Sequence, residues 1–317
     1  MRLVRPVFLL AFGLLSMQTF AQSYPSRSIV FVVPYAAGGG VDLTGRIVAA
    51  KLSQQLGRSI LIENRPGADG TVGADYVAKS APDGYTLLVG GTGPLSLAPA
   101  IYKKLPYEPL KDLTPVILVV TIPQILVVHP SLPVRSVQEL IALARKHPGK
   151  LNMAFGGISQ RLAGAMLASK TGVDITAVPY KGTAPAMNDL LGGHVELYFG
   201  DPSMLPTIKS GRLRALAVTI AKRYPPMPDI PAMQEILPGF EITSFYALSV
   251  PAGTPRAIVL KLNTEVETAL ADRDTREKLE RSGLIPTGGT PESFAEFLRK
   301  HVETTAALIR EAKIGRN

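Results

Sequence analysis

The sequence predicts an α/β protein in which two Rossmann-like lobes are joined by a hinge of two crossing strands. Short apolar runs alternate with longer segments of helical periodicity after residue 21, which is typical of strands covered by helices. The β-α-β order appears before Pro123 and again after it. A proline-rich segment at Pro225, Pro226 and Pro228 marks the predicted return to the first lobe. Two lobes connected in this way can close on a ligand.

The elements of each lobe are predicted from local signals. Ile29–Val33 is mostly β-branched and apolar on both faces, as expected of a strand between two helical layers. Gly57 ends a helical pattern as a C-cap, and Thr254 and Thr290 are predicted to cap the last two helices. The first lobe is predicted to contain strands Ile29–Val33, Ile60–Ile62, Thr86–Val89, Val116–Val120 and Ala247–Val250, with helices Asp42–Leu56, Gly70–Ser80, Pro255–Leu270 and Pro291–Lys313. The second lobe is predicted to contain strands Ile125–Val128, Leu151–Phe155, Ile175–Val178, Val195–Phe199 and Leu213–Thr219, with helices Ser159–Lys170, Ala184–Leu191 and Met204–Ser210.

The N-terminus predicts a cleaved secretion signal, residues 1–21. Arg2 and Arg5 precede the uncharged apolar stretch Val7–Met17, and small residues end at Ala21. A membrane anchor is the alternative, but spanning a bilayer takes about 20 apolar residues. We expect residues 22–122 to form the first part of lobe 1, residues 123–220 lobe 2, and residues 221–317 the return to lobe 1.

Composition excludes several classes of protein. The chain has no cysteine, so disulfides, thiolate metal sites and a lipid-modified N-terminal cysteine are excluded. It has 34 basic and 25 acidic residues, a formal charge of +9. The charges are interspersed, without a basic strip carrying aromatic residues, so nucleic-acid binding is not expected. An exported protein without a lipid anchor is expected in the periplasm.

Two glycine-rich turns, each leading from a strand into a helix, are the most informative local features. One runs from Val33 through Gly38–Gly40, and the other runs from Phe155 through Gly156 and Gly157. Glycine allows close backbone approach, and a helix start presents unpaired N–H groups, so such turns can bind anions. A flexible turn without a ligand is the alternative for either motif alone. Facing each other across a hinge, they would hold a small carboxylate.

Signals for catalysis are sparse. The histidines are far apart and show no metal-ligand spacing, and G-x-S-x-G, G-x-G-x-x-G and P-loop motifs are absent from the sequence. Asp201 follows a predicted strand as a single carboxylate, and is better suited to orienting a loop or ligand than to acting as a general base. We therefore expect neither an enzyme nor a bound metal or cofactor.

The sequence resembles the Bug family of extracytoplasmic receptors, the binding components of tripartite tricarboxylate transporters. The resemblance covers nearly all of the chain after the predicted signal. It is carried by six segments in order: VPYAAGGGVD at Val33–Asp42, ENRPGA at Glu63–Ala68, APDGYTLL at Ala81–Leu88, VPYKGTAPA at Val178–Ala186, DLLGG at Asp189–Gly193 and GRLRALAV at Gly211–Val218.

The resemblance implies a type II periplasmic-binding-protein fold without a cofactor, and a carboxylate ligand held largely by backbone amides and water. It also implies a large and a small membrane subunit as partners. The ligand-binding residues it implies are Tyr35, Ala37, Gly38, Gly39 and Asp42 in the first loop, Thr92 in the next, Gly157, Ser159 and Gln160 in the second lobe, and Asp201 after a second-lobe strand.

Three positions depart from the family pattern. Tyr35-Ala36 replaces a usual Phe-Pro, Asp69 stands where glycine is usual, and Arg161 stands where histidine is usual. We hypothesise that Arg161 makes a bidentate contact to a carboxylate and selects a more acidic ligand. The alternative is that Arg161 only packs or pairs at the surface of the lobe.

Other readings of the function stay open on the sequence. The protein could signal to a membrane sensor kinase, because signalling and delivery use the same closure; an enzyme on the same scaffold is the less favoured alternative. The ligand could be a tricarboxylate, a dicarboxylate, an aromatic acid, an amino acid or a neutral relative. A monomer is expected of a delivery protein.

Overall fold

The computed structural model describes residues 24–180 and 183–311. The predicted signal peptide lies outside these residues. Within them the chain forms two sheets, each covered by helices on both faces. The first, six-stranded sheet has the order β11-β4-β10-β3-β1-β2, and its strands are β1 (Ile29–Val33), β2 (Ile60–Asn64), β3 (Thr86–Gly91), β4 (Leu113–Pro123), β10 (Thr243–Pro251) and β11 (Ile285–Pro286).

The second, five-stranded sheet has the order β7-β6-β8-β5-β9. Its strands are β5 (Ile125–Val128), β6 (Asn152–Phe155), β7 (Thr176–Pro179), β8 (Leu197–Gly200) and β9 (Arg214–Val218). The two sheets confirm the predicted two-lobed α/β architecture, with one sheet in each lobe.

Twelve α-helices lie within the described ranges. They are α1 (Gly40–Leu56), α2 (Thr71–Ala78), α3 (Ala98–Ile101), α4 (Pro109–Asp112), α5 (Val137–Lys146), α6 (Ile158–Thr171), α7 (Thr183–Leu191), α8 (Leu205–Lys209), α9 (Met233–Ile236), α10 (Arg256–Ala271), α11 (Arg273–Arg281) and α12 (Pro291–Glu311). A π-helical turn, Gly93–Leu97, leads from β3 towards α3.

Helices cover each sheet because the strands are apolar on both faces. In the first lobe, α1, α10 and α11 pack on one face of the sheet, and α2 and α12 pack on the other. In the second lobe, α5 and α6 cover one face and α7 covers the other. Each lobe therefore has its own hydrophobic core. Burial of each large apolar side chain in such a core stabilises the fold by about 1.5–3 kcal/mol.

In each sheet, one strand comes from the other lobe and runs antiparallel to both of its neighbours. In the first sheet β1, β2 and β3 are parallel, and β10 is antiparallel to both β3 and β4. In the second sheet β6, β7 and β8 are parallel, and β5 is antiparallel to β8 and β9. β5 and β10 are the strands that arrive from the other lobe, so they enter at the carboxyl ends of the others. The carboxyl ends of both sheets therefore face the hinge, which is where α/β proteins bind ligands.

The hinge is a pair of adjacent chain crossings connected through Thr219. Gln124 lies between β4 and β5, and its N–H donates to Oγ1 of Thr219 at 2.9 Å, while the N–H of Thr219 donates to the carbonyl of Gln124 at 2.9 Å. The hydroxyl of Thr219 donates to the carbonyl of Ile242. In return, the N–H of Ile242 donates to the backbone carbonyl of Thr219 at 3.0 Å. Thr219 is fully buried, and its hydrogen bonds join the two crossings.

The sequence predicted that the chain returns to the first lobe at residue 221. In the structure it returns later. Tyr224 and Ala232 pack in one core cluster of the second lobe, and Met233 and Phe240 pack in the other. The prolines therefore lie in a segment that covers the second sheet, and the return takes place at Thr243, where β10 begins.

Candidate ligand-binding site

The first glycine turn follows β1 and is exposed from Ala36 to Gly40. Gly38 has φ +89°, a conformation that favours glycine. Gly39 caps α1 without a side-chain hydrogen bond. The first N–H groups of a helix have no partner within it, and their partial positive charge attracts anions. The structure thus places predicted contacts Ala37 and Gly39 on an open turn beside a helix start.

Asp42 lies beneath this turn and holds it in place. Its side chain is 3 % exposed. Oδ2 accepts from the N–H of Gly38 at 2.9 Å and from Nε of Arg46 at 2.8 Å, and Oδ1 accepts from Nδ2 of Asn64 at 2.9 Å. The hydrogen bond from Arg46, opposed by burial and reinforced by Gly38 and Asn64, lowers the pKa of Asp42 to about 2. The sequence placed Asp42 and Gly38 in contact with a ligand; in the structure the Asp42 carboxylate and the Gly38 N–H bond to each other.

Tyr35 is held between two glycines at the base of the turn. A Cβ atom on Gly70 would lie 3.1 Å from the Tyr35 hydroxyl, and one on Gly93 would overlap it. The hydroxyl of Tyr35 donates to the carbonyl of Asp69 at 3.2 Å. Burial, reinforced by Tyr246 and Asp69, raises the pKa of Tyr35, so its hydroxyl stays protonated and keeps the hydrogen bond to Asp69.

Tyr246 closes the other side of the turn. It extends from β10, and a Cβ atom on Gly40 would lie 2.7 Å from its hydroxyl. Burial, together with the charge of Asp201, raises the pKa of Tyr246 to about 12. Asp201 belongs to the second lobe, where Oδ1 accepts from the N–H of Ser203 at 2.8 Å and caps a short 3-10 turn. The charge of Asp201 thus acts on Tyr246 across the boundary between the two lobes.

Thr92, also predicted to bind a ligand, fixes the neighbouring strands. Its Oγ1 accepts from the N–H of Phe245 at 3.0 Å, which joins the end of β3 to β10. The hydroxyl hydrogen of Thr92 remains available as a donor.

The second glycine turn leads into α6. Gly157 is the N-cap of this helix. Oε1 of Gln160 is buried without a hydrogen bond to any residue within the described ranges, and it lies 3.0 Å from the position of a Cβ atom on Gly157. A buried acceptor needs a donor, so Oε1 of Gln160 is suited to accept a hydrogen bond from a ligand.

Arg161, one residue further, lies apart from these groups. Its guanidinium carbon is 5.8 Å from the ring centroid of Phe155. It forms no ion pair with any residue that the structure describes. Arg161 is half-buried and carries an uncompensated charge at the cleft edge of the second sheet.

Two cavities separate the lobes, and Ser159 borders both. The smaller, of about 190 Å³, is lined by Tyr35, Asp69, Gly93, Leu97, Ala98, Ile101, Tyr102, Ile158 and Ser159. The larger, of about 430 Å³, includes Thr92, Leu97, Ser159, Leu162, Ser244 and His301 in its lining. Between them α6 packs on the first lobe through an apolar cluster of Leu97, Ala100, Ile101, Leu162 and Ile309. Ser159 thus shares the smaller cavity with Tyr35 and the larger cavity with Thr92.

Four polar residues in or beside these cavities were not predicted as site residues from the sequence. Ser244 and Tyr246 are two residues apart on β10 and therefore lie on the same face of the strand. Both precede Ala247, where the predicted strand begins. Asp69 and Tyr102 meet through a hydrogen bond of 3.1 Å from the tyrosine hydroxyl to Oδ2. Alternation at 244 and 246 was a usable signal, whereas no local pattern connects Asp69 with Tyr102.

The family model of the tripartite tricarboxylate transporter family receptors, TctC, matches residues 44–314. The chain belongs to this family. Among its relatives, BugT of Bordetella pertussis is 36 % identical over 296 residues, which is 92 % of this chain and 91 % of BugT. The resemblance to the Bug receptors is thereby confirmed.

Solved structures of similar proteins share the fold. Rpa4515 of R. palustris, solved with adipate, is 38 % identical with a TM-score of 0.79, over 93 % of this chain and all of that chain. MatC of Rhodopseudomonas palustris, solved with malate, is 34 % identical with a TM-score of 0.74, over 90 % of this chain and all of that chain. The predicted two-lobed periplasmic-binding-protein fold is confirmed, and the family is one of periplasmic solute receptors.

The described residues contain neither a helix that could span a membrane nor a group of side chains that could hold a metal ion. No helix among residues 24–180 and 183–311 is long and apolar enough to cross a membrane. Within the same ranges, no three histidine or acidic side chains are grouped so that they could hold a metal ion.

Proposed function

We propose that this TctC-family protein captures a small carboxylate-bearing solute between its lobes and delivers it to a tripartite membrane transporter. The observation that carries the proposal is the placement of two glycine turns, each at the start of a helix, at the facing carboxyl ends of two sheets. One belongs to each lobe, so a bound carboxylate would join the lobes and favour the closed form.

The donors that would hold the solute are mostly backbone groups. The N–H groups at the starts of α1 and α6 are supplemented by the hydroxyls of Thr92 and Ser159. Hydrogen bonds to a charged group contribute about 1.5–3 kcal/mol each, so a few of them support micromolar binding after ordering costs. The binding of adipate by Rpa4515 and of malate by MatC supports a dicarboxylate of similar size.

The arrangement favours binding over catalysis. Asp42 is occupied by the glycine turn, and Asp201 caps a 3-10 turn. His301 is fixed between Ser96, 2.7 Å from its Nδ1, and the carbonyl of Thr243, 2.8 Å from its Nε2. These groups have structural partners, which supports a receptor without turnover.

Binding is tested by thermal shift and calorimetry with the purified protein and C4 to C8 carboxylic acids, with uncharged amides of the same skeletons as controls. A ligand at a hundred times its dissociation constant adds about 2.7 kcal/mol to the unfolding free energy. We expect a shift with acids of one size and none with their amides. Equal shifts with acids and amides would overturn the proposal. The absence of any shift, after denaturing and refolding to remove copurified solute, would also overturn it.

Delivery is tested separately from binding. We propose a monomer, exported to the periplasm by a cleaved signal peptide and paired with a large and a small membrane subunit. Cells that express the three proteins together should take up the bound acid, and omission of this chain should abolish uptake. Uptake that does not depend on this chain would contradict delivery and leave binding intact.

A further inference from the structure

The loop that leads into α2 has an unusual backbone. Four consecutive residues have positive φ: Gly67 at 143°, Ala68 at 44°, Asp69 at 54° and Gly70 at 91°. Residues other than glycine rarely adopt this conformation, although aspartate and asparagine tolerate it better than most. Such conformations persist where surrounding contacts over-determine them, and they cluster at ligand-binding sites.

Two tyrosines hold Asp69 in this conformation. The hydroxyl of Tyr35 donates to its carbonyl at 3.2 Å, and the hydroxyl of Tyr102 donates to its Oδ2 at 3.1 Å. Asp69 lines the smaller interlobe cavity together with Tyr102 and, from the second lobe, Ser159. Its other oxygen, Oδ1, accepts no hydrogen bond from the described part of the chain.

The charge of Asp69 is not compensated by a neighbouring cation. No lysine or arginine among the described residues pairs with it. Burial is the main cause that raises the pKa of Tyr102, and the negative charge of Asp69 raises it further. Asp201 acts in the same direction on Tyr246 from the opposite lobe. Two carboxylates thus flank a site whose backbone donors favour anions.

The backbone N–H groups favour a negatively charged group, and the carboxylates of Asp69 and Asp201 favour a positively charged group. A ligand that carries one charge of each sign satisfies both. A purely anionic acid is repelled by Asp69 and Asp201. An amino acid meets the glycine turns with its carboxylate and offers its ammonium group to a free carboxylate oxygen. Because Oδ2 of Asp69 is taken by Tyr102, the acceptor for that group is Oδ1.

We propose that Asp69 is a specificity-determining residue that accepts a hydrogen bond from the ammonium group of an amino-acid ligand; this rests on the proposed carboxylate-binding function. The tyrosine contacts fix the acceptor, and the cavity gives it access to the ligand. Plain and hydroxylated acids with the same skeleton bind less tightly, because neither compensates the Asp69 charge.

The test compares three acids on each of two carbon skeletons: succinate, malate and aspartate, and glutarate, 2-hydroxyglutarate and glutamate. Dissociation constants are measured by calorimetry for the natural protein, Asp69→Asn and Asp69→Gly. Asparagine tolerates the same backbone and keeps an acceptor for Tyr102 while removing the charge. Glycine suits the backbone without strain, so at least one variant folds. Asp229→Asn removes the same charge from an exposed loop residue and is the matched control.

The natural protein should bind the amino acid about tenfold or more tightly than the plain acid on one of the skeletons. Asp69→Asn and Asp69→Gly should abolish this preference, and Asp229→Asn should keep it. A preference for the plain or hydroxylated acid, or an amino-acid preference that survives both Asp69 variants, would overturn the inference while the proposed function stands. If none of the acids in the wider C4 to C8 panel binds, the proposed function itself fails and the inference with it.

Discussion

The carboxylate of Asp42 accepts a hydrogen bond from the backbone N–H of Gly38, four residues earlier, at 2.9 Å. This bond ties the exposed glycine turn to the buried first turn of α1. The turn therefore keeps its shape in the absence of a ligand, and a solute meets a preformed surface.

Asp42→Ala should lower the unfolding free energy by about 1–3 kcal/mol, because it leaves the Gly38 N–H and the Asn64 amide without their acceptor. It should also weaken ligand binding. Arg46→Gln is the control, since it removes the ion pair and keeps the bond to Gly38. Arg46 is half-exposed, so this variant should cost at most about 1 kcal/mol. Urea titration measures both, and equal losses would contradict a separate role for the Gly38 bond.

Acid stability should depend on three carboxylates. Hydrogen bonds from Arg46, Lys51 and Arg223 are the main reason that the pKa values of Asp42, Asp272 and Glu235, respectively, are lowered to about 2. A pKa lowered by folding stabilises above the unfolded value, 3.8 for aspartate and 4.5 for glutamate, and this stabilisation is lost as pH falls towards 2.

We therefore expect these carboxylates to leave the melting temperature unchanged between pH 7 and pH 5 and to lower it between pH 4 and pH 2. Asp42→Ala should flatten that fall, because the alanine variant has one carboxylate fewer to protonate. Scanning calorimetry across this range checks the slope. A variant that falls in parallel with the natural protein would show that Asp42 does not contribute.

Gly40→Ala should weaken binding more than its neighbour Gly39→Ala. A Cβ atom at residue 40 meets the Tyr246 hydroxyl at 2.7 Å, whereas one at residue 39 has only the carbonyl of Ala36 at 3.9 Å. Neither glycine has a positive φ in the structure, so backbone strain does not separate the two variants. Calorimetric dissociation constants for a bound acid give the comparison, and similar values for both variants would contradict a close fit of Tyr246 over the turn.

Arg161→Ala tests whether the unpaired guanidinium selects the ligand. If it contacts a carboxylate, affinity for dianionic acids should fall by tenfold or more, with monoanions little changed. Arg161→Lys should recover only part of the loss, because lysine lacks the bidentate geometry. Unchanged affinities across the panel would assign Arg161 to packing against Phe155.

Thr219→Val should loosen the hinge. Valine fills a similar volume but leaves the N–H of Gln124 and the carbonyl of Ile242 without partners, at a cost of about 1–3 kcal/mol each. Thr268→Val, at an exposed position on α10, is the control. Small-angle scattering with and without ligand should show a wider spread of interlobe distances for Thr219→Val. Identical profiles for both variants would contradict the linking role of Thr219.

Elements with strong local signals could be predicted closely. The β-branched run Ile29–Val33 is β1 as predicted, and Gly57, at φ 60°, caps α1. Thr290 caps α12 through a hydrogen bond from Ser293, as expected. The cap predicted at Thr254 is wrong, because its hydroxyl donates to the carbonyl of Pro251 and Pro255 is the N-cap of α10.

The site was less predictable because long-range contacts assemble it. β10 begins at Thr243, four residues before the predicted strand, because pairing with β4 extends it to the hinge. That extension brings Tyr246 over Gly40. The role of Asp42 was equally hidden, because Arg46 and Asn64 meet its carboxylate only in the folded chain.

The interrupted order of the first sheet has a consequence for folding. The second lobe is made from one continuous stretch of chain, Gln124 to Ile242, and its strands need no partner from outside it. The first sheet waits for β10 to fill the place between β3 and β4, more than a hundred residues after β4 ends. During synthesis, the second lobe can therefore finish folding while the first sheet still has unpaired strand edges. The N-terminal segment that contains β1 to β4 reaches its native state only after β10 has been synthesised.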